Sequence, residues 1–177
     1  MKTYLDIPHG GTNDKECEWL QNAAKDMNSI VEIGSYMGRS TVALLSGISS
    51  TNTLYAIDPF DTSPTGIYAA LQDSNYATVY STFLENTKDF KNLKVIRDTS
   101  HNAAMKLQNE VFDMVFIDGD HSYNAVLEDI NLWLPKTKKI LCGHDYNKHY
   151  DSVVKAVDKI LSGVEVYESI WIKRLSV

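Results

Sequence analysis

The stretch SIVEIGSYMGRSTVALLSGI, residues 29–48, decides the fold class. Its first part, residues 29–33, is a mostly apolar run that ends at Gly34, which predicts a strand buried on both faces, as strands of parallel sheets are. Residues 40–48 then carry apolar side chains at helical spacing. A buried strand, a turn with glycine and a helix form the first unit of an α/β sheet.

The same alternation continues along the rest of the chain. Further strands are predicted at residues 53–57, 93–97, 111–117 and 139–142. Further helices are predicted at residues 75–90, 102–108, 123–133 and 151–161. The last two strands, 164–167 and 170–174, are too close in sequence for a parallel crossover, so they form an antiparallel hairpin. We therefore expect a doubly wound α/β fold: a mostly parallel seven-stranded sheet with an antiparallel edge hairpin.

Length and composition indicate one domain, residues 1–177. The chain has 177 residues, of which 44% are hydrophobic, and it contains neither a repeat nor a linker rich in proline and glycine. Residues 15–27 have the spacing of a helix, with Asn13 or Asp14 available as its N-cap, and we expect residues 1–28 to form an N-terminal helical cap. The irregular stretch within residues 60–80 is the predicted lid over the ligand site.

Charge and cysteine content exclude several classes of protein. The 17 Lys and Arg residues against 23 Asp and Glu residues give a net charge of −6, which disfavours duplex nucleic acid as a partner. No apolar run is long enough for a membrane span or an export signal. Cys17 and Cys142 fit neither a disulfide framework nor a zinc spacing. We expect a cytoplasmic protein.

Ligands of open α/β sheets bind beyond the carboxyl ends of the strands. In the first such loop, Gly34 and Gly38 form a G-x-x-x-G spacing that lacks the features of phosphate-binding loops. These glycines either let a ligand approach the backbone or only serve the turn and the helix start. Asp58, at the end of the second strand, has the position of a carboxylate that binds ribose hydroxyls. Alternatively, Asp58 caps the turn before Pro59.

Five motifs of the chain resemble those of a known family. They are VEIGSYMGRST (31–41), YAIDPF (55–60), RDTS (97–100), FDMVFIDGDHSYNAVLEDINLWLP (112–135) and ILCGHDY (140–146). They are similar to the successive motifs of class I S-adenosylmethionine-dependent methyltransferases. Within these, the chain most resembles the small O-methyltransferases related to the macrolide and sugar O-methyltransferases, which use a divalent metal. The resemblance covers residues 29–147, and DGDHSY is its most specific part.

The resemblance implies S-adenosylmethionine as cofactor and a set of residues around it. Those residues are Glu32, Gly34, Ser35, Gly38, Ser40, Asp58, Pro59, Phe60, Thr99, Ser100 and Asp118. It also implies a divalent metal, Mg²⁺ or Mn²⁺, on Asp118 and Asp145. His144 stands where the metal-using relatives carry another carboxylate, so the predicted ligand set is Asp118, His144 and Asp145.

Methylation of oxygen requires a deprotonated hydroxyl, which a metal or a base provides. Asp118, Asp120 and His121 are the predicted catalytic residues; Asp120 and His121 are the candidate bases, and His121 alternatively caps the next helix. The expected activity is O-methylation of a small hydroxylated acceptor of sugar or phenolic type, with a homo-oligomer as one source of the acceptor pocket. One alternative is a non-catalytic module that binds a nucleoside or S-adenosylmethionine. A nucleotide-dependent oxidoreductase is disfavoured because the G-x-G-x-x-G fingerprint is missing.

Overall fold

The computed structural model describes residues 1–7, 10–60 and 78–175, and the strands in these ranges form one seven-stranded sheet. The strands are β1 (Ser29–Ile33), β2 (Thr53–Ile57), β3 (Leu93–Ile96), β4 (Phe112–Ile117), β5 (Thr137–Gly143), β6 (Glu165–Tyr167) and β7 (Ile170–Arg174). Their spatial order is β3-β2-β1-β4-β5-β7-β6, with β1 to β5 parallel and β7 antiparallel to both β5 and β6. The predicted parallel sheet with an antiparallel edge hairpin is confirmed.

Six α-helices in the described ranges cover the two faces of the sheet. They are α1 (Asp14–Ala24), α2 (Arg39–Gly47), α3 (Val79–Thr87), α4 (Ser100–Lys106), α5 (Tyr123–Trp133) and α6 (Asp151–Ile160). Helices α1 to α3 pack with Ile30 and Met114 in one core, whereas α4 to α6 pack with Val31 and Val115 in the other. Neighbouring residues of a strand thus pack against helices on opposite faces of the sheet. Because both faces are covered by helices, the fold is doubly wound. None of the described helices has the length and apolarity that a membrane crossing requires.

Helix starts differ from the prediction where a cap was overlooked. Helix α4 begins at Ser100 rather than residue 102, because the side chain of Thr99 accepts the N–H of Asn102 and caps it. Asn13 is the N-cap of α1, which confirms one of the two predicted alternatives. The predicted start of α3 at residue 75 and most of the predicted lid at residues 60–80 lie outside the described residues.

The carboxyl ends of the parallel strands line up in one row. The ladder continues one residue beyond the strands, since the N–H of Asp118 donates to the carbonyl oxygen of Ile33 (2.8 Å) and that of His144 donates to Ile117 (3.0 Å). This register places the first loop residues after four parallel strands side by side. Those residues are Gly34, Asp58, Asp118 and His144.

The N-terminal segment is tied to the start of α2 by Arg39. This buried guanidinium donates to the carbonyl oxygens of Tyr4, Ile7 and Thr12, and it pairs with the carboxylate of Asp14. Because Arg39 directly follows the glycine loop, the segment before α1 is anchored next to the row of strand ends.

Candidate active site

Below the glycine loop, Glu32 is buried and surrounded by hydroxyl groups. It is 0% exposed and accepts hydrogen bonds from Ser35 (2.8 Å), Ser40 (2.6 Å) and Thr41 (2.5 Å). Burial raises its pKa to about 7 even though these three donors favour the ionised form. Glu32, Ser35 and Ser40 were predicted from sequence, and the structure brings them together, whereas Thr41 was missed.

The glycine loop passes close to the end of β4. Gly34 has φ +83°, and a Cβ atom at this position would lie 2.0 Å from the carbonyl oxygen of Asp118. Gly38 has φ +90°, and its Cβ would lie 3.2 Å from the ring of Phe83. The close approach at Gly34 is therefore to the protein's own backbone, which already requires glycine. Contact of this loop with a cofactor stays a prediction.

Asp58 fixes the conformation of the glycine loop. Its Oδ2 accepts the N–H groups of Ser35 and Tyr36, both at 2.9 Å, and its Oδ1 accepts the N–H of Phe60 at 2.7 Å. The bond to Phe60 is the turn cap that we gave as the alternative for Asp58. Tyr36 and Phe60 have φ of 45° and 48°, a left-handed conformation that non-glycine residues rarely adopt. Such backbone strain is concentrated at functional sites.

Phe60, predicted to border the adenine of the cofactor, belongs to the core. Its ring is buried, with centroids 4.8 Å from that of Tyr80 and 5.0 Å from that of Phe83. Pro59 is half-buried, and its carbonyl oxygen accepts a hydrogen bond from Arg97. The side chain of Phe60 therefore anchors this loop to the core by packing against Tyr80 and Phe83.

Thr99 and Ser100, also predicted for the adenine, use their side chains at the start of α4. The Thr99 hydroxyl caps the helix, and the Ser100 hydroxyl donates to Asp129 of α5 while accepting from Nε1 of Trp133 at 2.9 Å. Ser100 is thus turned towards α5. Contact of Thr99 and Ser100 with adenine stays a prediction.

Beyond β4 and β5, two carboxylates and a histidine converge. The ligand atoms of Asp118, His121 and Asp145 all lie within 4.8 Å of one another. Nε2 of His121 is 2.7 Å from Oδ2 of Asp145 and 3.6 Å from Oδ1 of Asp118. Nε2 of His121 has no hydrogen-bond partner among the described residues, so its 2.7 Å contact with Asp145 is an ion pair. The three predicted residues Asp118, His121 and Asp145 therefore share one place.

His144 approaches the same carboxylates from the buried side. Its Nδ1 lies 3.3 Å from Oδ1 of Asp145 and 3.6 Å from Oδ1 of Asp118, and its Nε2 lies 3.0 Å from Oε2 of Glu16. The predicted metal set contained His144 and not His121, whereas the compact group of three contains His121. Nε2 of His144 is engaged by Glu16, so only Nδ1 faces the two carboxylates.

Mutual attraction sets the charges of this cluster. The carboxylates of Asp118 and Asp145 raise the pKa of His121 to about 10. Burial opposes protonation of His144, but Asp145 and Glu16 outweigh it and raise its pKa to about 11. Burial likewise raises the pKa of Asp118, whereas the two histidines hold the pKa of Asp145 below its ordinary value despite burial. Protons on the histidines thus balance the two carboxylates.

A divalent cation fits these residues in place of the protons. Among the described residues, the buried side-chain nitrogen and oxygen atoms without a hydrogen-bond partner are Nε2 of His121 and Nδ1 of His144, and both face the carboxylate pair. Carboxylate oxygens suit Mg²⁺ and Mn²⁺, and imidazole nitrogens extend the choice towards Mn²⁺, iron and zinc. The donor set is therefore compatible with the predicted metal.

Asp120, the other predicted base, lies outside this cluster. Its side chain is exposed and accepts the N–H of Ser122 at 2.7 Å, which closes the turn before α5. Ser122, not His121, occupies the N-cap position of α5. Of the two candidate bases, the structure thus brings only His121 to the carboxylates.

Three residues around the cluster were not found from the sequence. Glu16 and Ser169 contact His144 from α1 and from the turn between β6 and β7, and the ring of Tyr150 lies 5.0 Å from that of His121. Glu16 carries the signal of a helix-capping residue, three positions after Asn13. No pattern in the sequence predicts that it contacts His144.

Comparison with solved structures places the fold among methyltransferases. An O-methyltransferase from Bacillus cereus, in complex with SAH, superposes with a TM-score of 0.70 at 15% identity, over 97% of this chain and 86% of that one. The O-methyltransferase TomG from Streptomyces achromogenes, in complex with SAM, gives 0.64 at 14% identity, over 90% and 74%. The SAH-bound methyltransferase PaMTH1 from Podospora anserina gives 0.64 at 15% identity, over 93% and 80%. At these identities the likeness concerns the fold.

Sequence comparison supplies the family. The uncharacterized protein R132 of Acanthamoeba polyphaga mimivirus is 30% identical in an alignment of 163 residues, and the alignment covers 82% of this chain and 66% of that protein. The chain thus spans just under two thirds of the length of this relative. The family model described as a methyltransferase domain matches residues 31–146, from β1 to the loop that carries Asp145. The resemblance to class I methyltransferases is thereby confirmed, and the chain belongs to the methyltransferase-domain family.

Proposed function

We propose that the protein transfers the methyl group of S-adenosylmethionine to a hydroxyl group of a small acceptor of sugar or phenolic type. The observation that carries this proposal is that Asp118, His121 and Asp145 converge at the carboxyl ends of the strands, next to the glycine loop. Two of the solved structures with this fold are O-methyltransferases that hold SAH or SAM, which supports the choice of cofactor and of oxygen as the methylated atom.

The cofactor is assigned to the loops after β1, β2 and β3. In this assignment Asp58 fixes the conformation of the glycine loop by accepting its N–H groups. The buried Glu32 restrains the loop further through the hydrogen bonds it accepts from hydroxyl groups. Methyl transfer needs the donor sulfonium held in line with the acceptor oxygen, which such a preorganised loop provides. Asp118 lies between this loop and the histidines, and it would border the methyl-donating end.

Proton removal from the acceptor is assigned to His121. Its side chain is 41% exposed, whereas that of His144 is 4% exposed, so only His121 is open to an incoming hydroxyl. Asp145 at 2.7 Å orients the imidazole and stabilises its protonated form after proton transfer. The exposed ring of Tyr150 beside His121 would contact the acceptor.

Metal assistance is part of the proposal. Asp118, His144 and Asp145 would hold Mg²⁺ or Mn²⁺ through their oxygens and Nδ1. A bound divalent cation would lower the pKa of the acceptor hydroxyl, which His121 then deprotonates more easily. Without the cation, the pKa of His121 near 10 leaves it protonated at neutral pH and unable to act as a base.

The acceptor pocket is assigned to the predicted N-terminal cap, residues 1–28, and to the predicted lid, residues 60–80, or to a second subunit. Arg39 anchors the first of these segments beside the glycine loop. The single-domain organisation, the cytoplasmic location and the absence of a duplex nucleic-acid partner are retained as expectations from the sequence.

Calorimetric titration of the metal-stripped protein with S-adenosylmethionine and with its demethylated product tests the cofactor. The titration is repeated with Mg²⁺ and Mn²⁺, followed by a transfer assay on hexoses and catechol-type phenols. Micromolar binding together with metal-dependent transfer supports the proposal. Absence of binding under all conditions contradicts it, and binding without transfer to any hydroxylated acceptor favours the non-catalytic binding module.

A further inference from the structure

We propose that Glu16 of α1 is a positioning residue that keeps a proton on Nε2 of His144 and so directs Nδ1 towards Asp118 and Asp145. The part of the inference that concerns a metal on Nδ1 rests on the proposed function. The protonation of Nε2 does not, because it follows from contacts within the protein. It assigns to the N-terminal helix a part in the site that no motif of the sequence indicates.

Glu16 is a buried carboxylate that accepts hydrogen bonds from Asn13 and Ser169 and forms an ion pair with His144. It is 1% exposed, and its Oε2 accepts the N–H of Asn13 at 2.7 Å and lies 3.0 Å from Nε2 of His144. Its Oε1 accepts both the N–H of Ser169, at 3.1 Å, and the Ser169 hydroxyl. A carboxylate is held in the interior only where donors replace its lost hydration.

These contacts decide which nitrogen of His144 carries hydrogen. The hydroxyl of Ser169 has one proton and gives it to Glu16, so its oxygen, 3.1 Å from Nε2 of His144, can only accept from that nitrogen. Both neighbours of Nε2 are then acceptors. Nε2 must therefore be protonated, whatever the state of Nδ1.

The consequence appears on the other side of the ring. Nδ1 of His144 is buried, has no hydrogen-bond partner and lies 3.3 Å from Asp145. With the proton fixed on Nε2, Nδ1 is the nitrogen left to bind a cation held by the two carboxylates. A carboxylate on the far nitrogen is what orients histidine ligands in metal sites and raises their basicity.

The test compares Glu16→Gln with the control Glu18→Gln. Glu18 lies on the exposed side of the same helix, so the control removes the same charge from α1 without touching His144. Glutamine at position 16 keeps the size of the side chain but offers one acceptor oxygen, for which Asn13, Ser169 and His144 must compete.

The first readout is the ¹⁵N–¹H spectrum of histidine side chains in the metal-free protein, with His144 assigned by the variant His144→Gln. We expect a protected Hε2 signal of His144 in the wild-type protein and in Glu18→Gln, and its loss in Glu16→Gln, with cooperative unfolding retained. The second readout is calorimetry with Mn²⁺ alone, where Glu16→Gln should bind about 10- to 100-fold more weakly and Glu18→Gln equally well.

An unprotonated Nε2 in the wild-type spectrum overturns the inference without any variant. So does an unchanged Hε2 signal in folded Glu16→Gln. If the wild-type protein shows the Hε2 signal but does not bind Mn²⁺, Glu16 keeps its assigned role and the metal part of the proposed function fails, so the two failures are distinguishable.

Discussion

Nε2 of His121 lies 2.7 Å from Oδ2 of Asp145, although the two residues follow different strands of the sheet. The contact exists because β4 and β5 are parallel neighbours whose ends are in register, with Ile117 opposite Gly143. Asp145 adopts φ 60°, the left-handed conformation, as it turns its carboxylate to this position. Reactivity at His121 should therefore depend on Asp145.

We expect Asp145→Asn to separate binding from turnover. Asparagine tolerates the left-handed conformation, so the loop should remain in place while the charge beside His121 is lost. Transfer should fall about 100-fold or more, and S-adenosylmethionine binding should stay within about threefold. Calorimetry and a transfer assay measure the two, with the exposed and distant Asp26→Asn as control. Equal losses in both would refute this division of roles.

Asp58→Ala should weaken cofactor binding strongly. Removing this carboxylate leaves the N–H groups of Ser35 and Tyr36 without their acceptor, so the glycine loop loses its fixed shape. The free energy of unfolding should fall by roughly 1–3 kcal/mol, and S-adenosylmethionine should bind at least about tenfold more weakly. Urea unfolding and calorimetry are the measurements. Full-affinity binding by this variant would show that the loop does not need Asp58.

His121→Gln and His144→Gln distinguish a base from a metal ligand. If His121 is the base, its variant should retain Mn²⁺ affinity within about threefold and lose about 10²- to 10⁴-fold in transfer rate. His144→Gln should instead bind Mn²⁺ at least about tenfold more weakly. Calorimetry with Mn²⁺ decides between them. The reverse pattern would make His121 the ligand, as its place in the compact group with Asp118 and Asp145 also allows.

Gly34→Ala should be far more damaging to stability than Gly38→Ala. Both glycines have positive φ, so both variants carry backbone strain of about 1–2 kcal/mol. Only at Gly34 would the new Cβ collide with backbone, 2.0 Å from the carbonyl oxygen of Asp118; at Gly38 it meets side-chain atoms of Phe83 and Thr87 at 3.2 and 3.3 Å. Thermal denaturation of both variants tests this, and equal melting temperatures would contradict it.

Asp129 should make stability depend on pH. Burial raises its pKa from 3.8 to about 6, although the Ser100 hydroxyl favours the ionised form. A carboxyl whose pKa is raised on folding contributes stability that is complete below about pH 4 and is lost as pH rises through about 6. The loss is up to about 3 kcal/mol. Asp129→Asn can still accept from Ser100, so its unfolding free energy, relative to the wild-type protein, should increase between pH 4 and pH 8 in urea titrations. A constant difference would contradict this.

Much of the fold was predictable because its signals are local. Apolar runs, breakers and hydrophobic spacing determine where strands and helices form, and β1, β2, α5 and β7 have the predicted bounds. The short link before β7 was enough to predict an antiparallel edge. Because parallel strands present their carboxyl ends together, Asp118 and Asp145 could also be assigned to one site from the sequence.

What the sequence by itself determined was therefore the fold class and the loops that form the site. Only the tertiary structure decided which side chains in those loops meet, because rotamers and helix packing depend on neighbours that are distant in sequence. It turned Ser100 towards Asp129, left Asp120 at the surface and placed His121 beside Asp145. It also buried Glu16 against His144, a contact that exists only once α1 has packed beside the ends of the strands.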